Sequence, residues 1–360
     1  VEWEDFVSSF GVINWLEIWN QYCTQAGFKI TAMQSDSSNG LLNHLFYTSP
    51  LALDHAFIYT SPVASEKTKQ ISQQIEERLL DRVCAYSGFA MDEYNMIWNT
   101  WRSLSKQPRI FERPTSRPSQ GDYLICGSGP SLDQNLDWIK TNQEKLVIVA
   151  CASNFGSLRK AGIDVDVLCL LERGEFMVEQ YTEFVKRYGS GKTRLLASVT
   201  TPSEILDLFD SSMVYFRPSL TPVALFSEGL RQILCGEGPQ SVNTGVAFAL
   251  TQSPKRIILC GVDLGTVSLD KVRTEGAIGI TPRDFDLTVR GNLRDHVYTN
   301  ELLLDGARVL KNSVLFSENT AEFLNASDGV YLEGWNSVQC ADIVFSNQSN
   351  KSQKMLDWWD

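Results

Sequence analysis

No stretch of the 360 residues approaches the roughly 18 uninterrupted apolar positions that a membrane-crossing helix requires, so a helical anchor is not expected. Positive charge is scarce too. The chain has 32 Lys and Arg against 43 Asp and Glu, a formal net charge of -11, which argues against a non-specific nucleic-acid binder because that affinity rests on basic residues neutralising phosphates. A small anionic ligand in a local pocket stays open. There are three histidines, no Cys-x-x-Cys, and no Cys/His spacing of the kind that holds zinc, so no metal site is expected. Hydrolase signatures are missing: there is neither a Gly-x-Ser-x-Gly elbow nor a His-Glu-x-x-His helix. The first residues, Val1-Glu2-Trp3-Glu4-Asp5, are acidic where a secretory leader needs a basic segment, and with no initiator Met a start further upstream is an expectation.

The content that is present is ordinary for a globular protein, with 43% hydrophobic and 21% charged residues, and the length favours two units. Of the eight cysteines, Cys126, Cys151, Cys169 and Cys260 each sit in an apolar run, which reads as small core residues in a reducing compartment and hence a cytoplasmic protein.

Residues 1 to about 108 carry five of the nine tryptophans and space their apolar positions at helical intervals, most clearly over 66–86 and 91–104. This part is expected to be a mainly helical packing or oligomerisation domain. The proline-rich run from Lys106 to Gly121 reads as a linker or extended arm, giving domains of 1–118, 119–340 and a tail of 341–360. Beyond the arm, short apolar runs alternate with helical patterns. Strands are expected at 123–126, 146–151, 165–171, 194–198 and 256–260, with helices at 132–142, 154–161, 175–188 and 241–251. This alternation predicts an α/β fold, a Rossmann-like, mostly parallel sheet with helices on both faces. Residues 268–298 are polar and interrupted by Pro282 and Gly291, as expected of a loop or lid. A helix over 301–310 and a strand and turn over 322–335 follow, and 346–354 is expected to fray.

Ligands of such sheets bind beyond the carboxyl ends of the strands, so the residues there are the candidates. Gly127-Ser128-Gly129-Pro130-Ser131 joins the first of these strands to a helix, where glycines permit close approach and free N–H groups favour an anion. It is neither a dinucleotide fingerprint, because Leu132 stands at the third glycine position, nor a Walker loop. A tight turn with no ligand fits as well. Asn154 after the second strand suits a base or sugar hydroxyl, or a helix N-cap. Asn243, Thr244 and Gly245 offer polar groups at another helix start, again with an N-cap as the plain alternative. Glu172 and Asp263 follow strands and are candidate bases or cation holders. His296 is a third candidate base, or a solvated histidine.

Taken together, these pieces resemble the central domain of the Maf (motility accessory factor) flagellin glycosyltransferases, shared with archaeal 6-hydroxymethylpterin diphosphokinases. The resemblance covers about Gly121 to Gly334. It rests on Gly-x-Gly-Pro-Ser-Leu-Asp at 127–133, Ala-Gly-Ile-Asp-Val-Asp at 161–166, Ile-Leu-Cys-Gly-Val-Asp-Leu at 258–264, Val-Tyr-Thr at 297–299, and Asn-Ala-Ser-Asp-Gly-Val-Tyr-Leu-Glu-Gly at 325–334. The first two strand ends are also similar to those of bacterial sialyltransferases, with Ser128 in place of their asparagine. Glu172-Arg173 stands where many Maf proteins have an aspartate.

The resemblance implies transfer of a nonulosonic acid, of sialic, pseudaminic or legionaminic type, from a CMP-sugar to Ser or Thr of flagellin or another protein. The glycine turn and Asn154 would hold the CMP, the turn as an open cradle for its phosphate. No cofactor is then required. The alternatives are pyrophosphoryl transfer to 6-hydroxymethyl-dihydropterin, needing ATP and Mg²⁺ held by carboxylates such as Asp263 and Glu172, and a non-catalytic nucleotide-sugar-binding module. Oligomers through the N-terminal helices are a further expectation.

Overall fold

The computed structural model describes residues 65–73, 75, 90–114, 121–218, 220–277, 284–315 and 321–345, with 14, 17 and 317 besides. Contacts divide the chain into units of 1–93 and 94–360. In the first, 66–73 is helical, as its periodicity predicts. The rest of the region expected to be helical before residue 90, the arm at 115–120 and the end of the tail lie outside the described residues.

Helix α1 (Ala90–Ser105) carries Asp92 and Glu93 in its first turn and Arg102 in its last, matching the helix dipole at both ends. Met96, Asn99, Thr100 and Ser103 form its buried stripe at helical spacing. Strand β1 (Arg109–Ile110) follows and pairs with a strand a hundred residues on, so residues 94–111, which precede the expected boundary at 118, pack within the second unit.

The expected alternation then unfolds: β2 (Asp122–Cys126), α2 (Leu136–Asn142), β3 (Val147–Cys151), α3 (Phe155–Lys160), β4 (Val167–Leu170), α4 (Phe176–Tyr188), β5 (Arg194–Ser198), β6 (Ser211–Tyr215), α5 (Thr221–Phe226), α6 (Ser241–Thr251) and β7 (Arg256–Cys260). The nine-stranded sheet has the order β1-β6-β5-β4-β3-β2-β7-β10-β11, where β10 (Glu322–Asn325) and β11 (Asn336–Ser337) close one edge. All of its pairings are parallel. Successive strand residues point to opposite faces. Tyr123, Ile125, Val147, Val149, Ile257 and Leu259 therefore join α6 in one core, and Leu124, Cys126, Ile148, Ala150 and Ile258 join α2, α3 and α4 in the other. Both faces are covered, which is why these strands read as unbroken apolar runs.

Several details differ from the sequence reading. The helix expected from 132 opens as a 3₁₀ segment, Pro130–Asn135, and only then becomes α-helical. Strand β6 begins Ser211-Ser212, whose half-buried hydroxyls hide its strand character. The polar segment 268–298 is not a plain loop, because β8 (Leu287–Arg290) and β9 (His296–Thr299) form an antiparallel hairpin within it. Its alternation is visible in burial, exposed at His296 and buried at Val297 and Thr299. Helix α7 (Glu301–Leu315) runs five residues past the expected end. The start of the tail is docked: Cys340 and Ile343 are buried, and the Val344 carbonyl accepts from Arg256 Nη1 at 3.0 Å. Arg256 is itself paired with buried Asp122 through Nε at 2.9 Å and Nη2 at 2.5 Å. The six described cysteines are all free thiols, five of them buried. No helix among the described residues is long and apolar enough to cross a membrane.

Candidate functional site

The sheet order reverses beside β2: β3 and β4 lie to one side and β7 to the other. Loops leaving β2 and β7 must diverge there, and open α/β sheets bind ligands in the resulting crevice. A cleft of about 820 Å³ occupies this position, lined by the residues just past β2, β3, β4 and β7. That volume suits a small organic ligand.

The glycine turn forms one wall. A Cβ on Gly127 would strike the carbonyl of Gly261, so the turns after β2 and β7 can meet only because both are glycine. Gly127 N–H donates to the Cys260 carbonyl at 2.9 Å and Gly129 N–H to the Gly261 carbonyl at 2.7 Å. The carboxylate of Asp263 fills the place expected for a phosphate: it accepts from Ser131 N–H at 2.9 Å and from the Ser131 hydroxyl, and lies where a side chain on Gly129 would project. The expected open cradle is therefore corrected. The anion that this turn attracts is the protein's own, and the turn serves as scaffold. Asp263 is 2% exposed, and that burial raises its carboxyl to about 6 against the opposing Ser131 hydrogen bonds, with Asp328 and Asp133 adding repulsion.

Asn154 is also corrected from ligand binder to brace. Its Nδ2 donates to the carbonyls of Cys126 and Gly127, and its Oδ1 accepts from Cys151 N–H at 3.1 Å, which ties the ends of β2 and β3 together and leaves the amide buried. Asn243 closes a capping box with Gln240 and donates to the Gly306 carbonyl at 3.0 Å. Thr244 donates to the Glu237 carbonyl at 2.7 Å, and Gly245 packs on Cys151. None of these three lines the cleft. The Asn243 and Thr244 side chains instead cap α6 and tie it to α7 and to the loop before it. His296 is exposed at the far end of the hairpin and does not reach the cleft either.

Of the expected residues, the cleft brings together Ser128, Gly129, Glu172 and Asp263. Glu172 sits on a fixed stretch of backbone, because Thr201 Oγ1 donates to its carbonyl at 3.0 Å and Asn99 Nδ2 on α1 donates to that of Arg173 at 3.2 Å. The structure adds residues that the sequence did not single out: Tyr181 and Gln180 from α4, Gln240 and Ser241 at the start of α6, Asn300 and Glu301 at the start of α7, and Arg273. Arg273 stands in the polar segment, which is pinned rather than loose. Thr274 N–H donates to the Ser128 carbonyl at 2.9 Å, Asp133 accepts from Thr274 and pairs with Lys271 at 2.7 Å, and Ser157 Oγ holds the Glu275 carbonyl at 2.7 Å. One arginine in a polar run carries no sequence signal; only these contacts place it over the cleft. Burial lowers its pKa, and Glu172 opposes that shift.

Two non-glycine residues bordering the cleft, Ala152 and Leu264, have positive φ angles of 51° and 46°. Such strain collects at sites where the surroundings fix the backbone. Five carboxylates line the cleft, Glu172, Asp263, Asp284, Asp286 and Glu301, and Arg273 is the one cationic side chain among the described lining residues. Among the described residues no three His, Cys, Asp or Glu side chains are grouped to hold a metal ion.

Residues 98–268 match the family described as 6-hydroxymethylpterin diphosphokinase MptE-like. No curated protein matches the chain by sequence. Among solved structures, the chain is similar to the Maf glycosyltransferase of Magnetospirillum magneticum AMB-1, with 23% identity and a TM-score of 0.78 over 98% of the chain. The chain spans about half of that protein, 54% of its length. The resemblance drawn from the ordered motifs is thus met in both of its branches, and the fold is that of the Maf structure.

Proposed function

We propose that this chain is a glycosyltransferase domain whose cleft takes a CMP-linked nonulosonic acid and passes the sugar to a Ser or Thr hydroxyl of flagellin or another protein. The observation that carries the reading is the acid-rich cleft with a single described cation, Arg273, at the switch point of a Maf-type sheet. One guanidinium among five carboxylates suits a donor with one phosphate better than a di- or triphosphate, whose extra charge would meet repulsion. Carboxylates and amides around the rim accept from and donate to sugar hydroxyls. In the transfer, a bond forms between the acceptor oxygen and the anomeric carbon, the bond from that carbon to the phosphate oxygen breaks, and its electron pair leaves with CMP. The acceptor proton passes to a carboxylate. Of the two carboxylates at strand ends, Asp263 is engaged by Ser131, and Glu172 is the base we favour.

A second reading, pyrophosphoryl transfer to a pterin, is favoured by the match over 98–268. It needs ATP with Mg²⁺. Calorimetric titration separates the two: CMP binding without Mg²⁺ and more tightly than CTP supports the first, and Mg²⁺-dependent ATP binding with no response to CMP supports the second. The decisive assay incubates the chain with a CMP-nonulosonic acid and flagellin and looks for the added sugar mass on Ser or Thr peptides. CMP binding with no transfer to any acceptor would reduce the chain to a binding module.

A further inference from the structure

Tyr181 lies on α4 with no exposed surface, packed edge-on against Phe184, and it contributes to the wall of the cleft. Its hydroxyl has no hydrogen-bond partner. A buried phenol normally finds one, because an unmatched polar group in the interior is costly. The neighbouring groups show which kind of partner is missing. Glu172, Tyr181 and Arg273 all line the cleft, and Glu172 acts electrostatically on the other two. Glu172 and the burial itself both oppose ionisation of the phenol, so it stays an O–H donor. Ser131 of the glycine turn, by contrast, already gives its N–H and its hydroxyl to Asp263.

We propose that Tyr181 and Arg273 form the anion subsite of the cleft, the phenol and the guanidinium donating together to a phosphate oxygen of the ligand. Its donors come from α4 and from the 268–298 segment rather than from the glycine turn, where the motif alone would put the anion site. Arg273 supplies charge and a planar fork of donors suited to phosphate. Tyr181 supplies a neutral donor already desolvated in the free protein, so little is lost when the ligand arrives. The proposal rests on the reading of the cleft as a nucleotide-sugar site, but its test does not.

The test titrates CMP, AMP, cytidine and inorganic phosphate into the full chain and into Tyr181→Phe and Arg273→Gln. Tyr181→Phe should weaken CMP about tenfold. Arg273→Gln should weaken it about thirtyfold, as befits a charge-assisted contact. Neither change should alter the affinity for cytidine, which lacks the anion. Tyr181→Phe should also melt no lower than the wild type, since it removes a hydroxyl that had no partner. Undiminished CMP and phosphate binding in both variants overturns the subsite. Equal losses for CMP and cytidine overturn it too, because the residues would then act through packing. Failure of every anionic probe to bind the wild-type chain at millimolar concentration has the same force. If phosphate and AMP bind through the pair while CMP has no advantage over AMP, the subsite stands and the CMP reading falls.

Discussion

The two walls of the cleft make opposite use of polar groups. On the glycine-turn side every described contact is internal: Gly127 and Gly129 donate to the β7 turn, Ser131 gives both of its donors to Asp263, and Asn154 spends its amide on three backbone groups. On the α4 side a buried phenol, on which Glu172 acts electrostatically, is left without a partner. The first wall is complete without a ligand and the second is not. A glycine-rich turn in a sequence is thus an incomplete guide to binding, since what fills the turn decides between cradle and scaffold.

The comparison can be broken most forcefully at its scaffold side. Gly127→Ala drives a methyl into the Gly261 carbonyl, where backbone cannot yield, and should cost about 3 kcal/mol or more by urea unfolding. Equal stability would mean that the two turns do not interlock. Next in size is the effect of pH. The Asp263 carboxyl lies at about 6 in the folded chain against roughly 4 unfolded, so between those values the native state retains a proton that the unfolded chain has lost. The stability that passes through this group therefore falls as pH rises from about 4 to about 6, by on the order of 3 kcal/mol, and is level above that window. Asp263→Asn should remove that slope, read as the wild-type minus variant difference in unfolding free energy from pH 4.5 to 7.5. A difference that does not change with pH would place the carboxylate in solvent.

Smaller effects sharpen the contrast. Asn154→Ala strands two carbonyls and an N–H at the ends of β2 and β3 and should cost about 2 kcal/mol, with any loss of CMP affinity following the loss of fold. A variant that stays fully stable yet no longer binds CMP would return Asn154 to the ligand. Smallest of all, His296→Ala should shift stability by less than about 0.5 kcal/mol and leave both CMP affinity and transfer rate unchanged, because the ring is exposed and outside the cleft. A large fall in transfer rate alone would restore it as a base.

The fold was legible for a physical reason. Strands buried on both faces carry few polar residues, so 123–126, 147–151 and 257–260 stand out as apolar runs between amphipathic helices. Edge and short strands lack that signature: β1 has two residues and β6 starts with two serines. The site was legible only in its location. Residues at strand ends, Ser128, Glu172 and Asp263, did reach the cleft because topology puts them there. Whether a polar residue faces the cleft or the interior depends on contacts that sequence spacing does not encode. Asn154 and Arg273 therefore exchanged the parts that their positions suggest. Tyr181 was hidden because, within α4, it fits the apolar stripe as well as any core tyrosine.

The place of β2 in the sheet bears on how the chain is made. Its inner neighbour β3 follows directly, but its other neighbour begins at Arg256, which pairs with Asp122 across 134 residues. During synthesis one side of this apolar strand stays bare until most of the domain has left the ribosome, and bare strand edges recruit other chains. Chaperone occupancy should therefore drop sharply once β7 emerges, and fragments ending before Arg256 should aggregate where those ending after β10 remain dispersed.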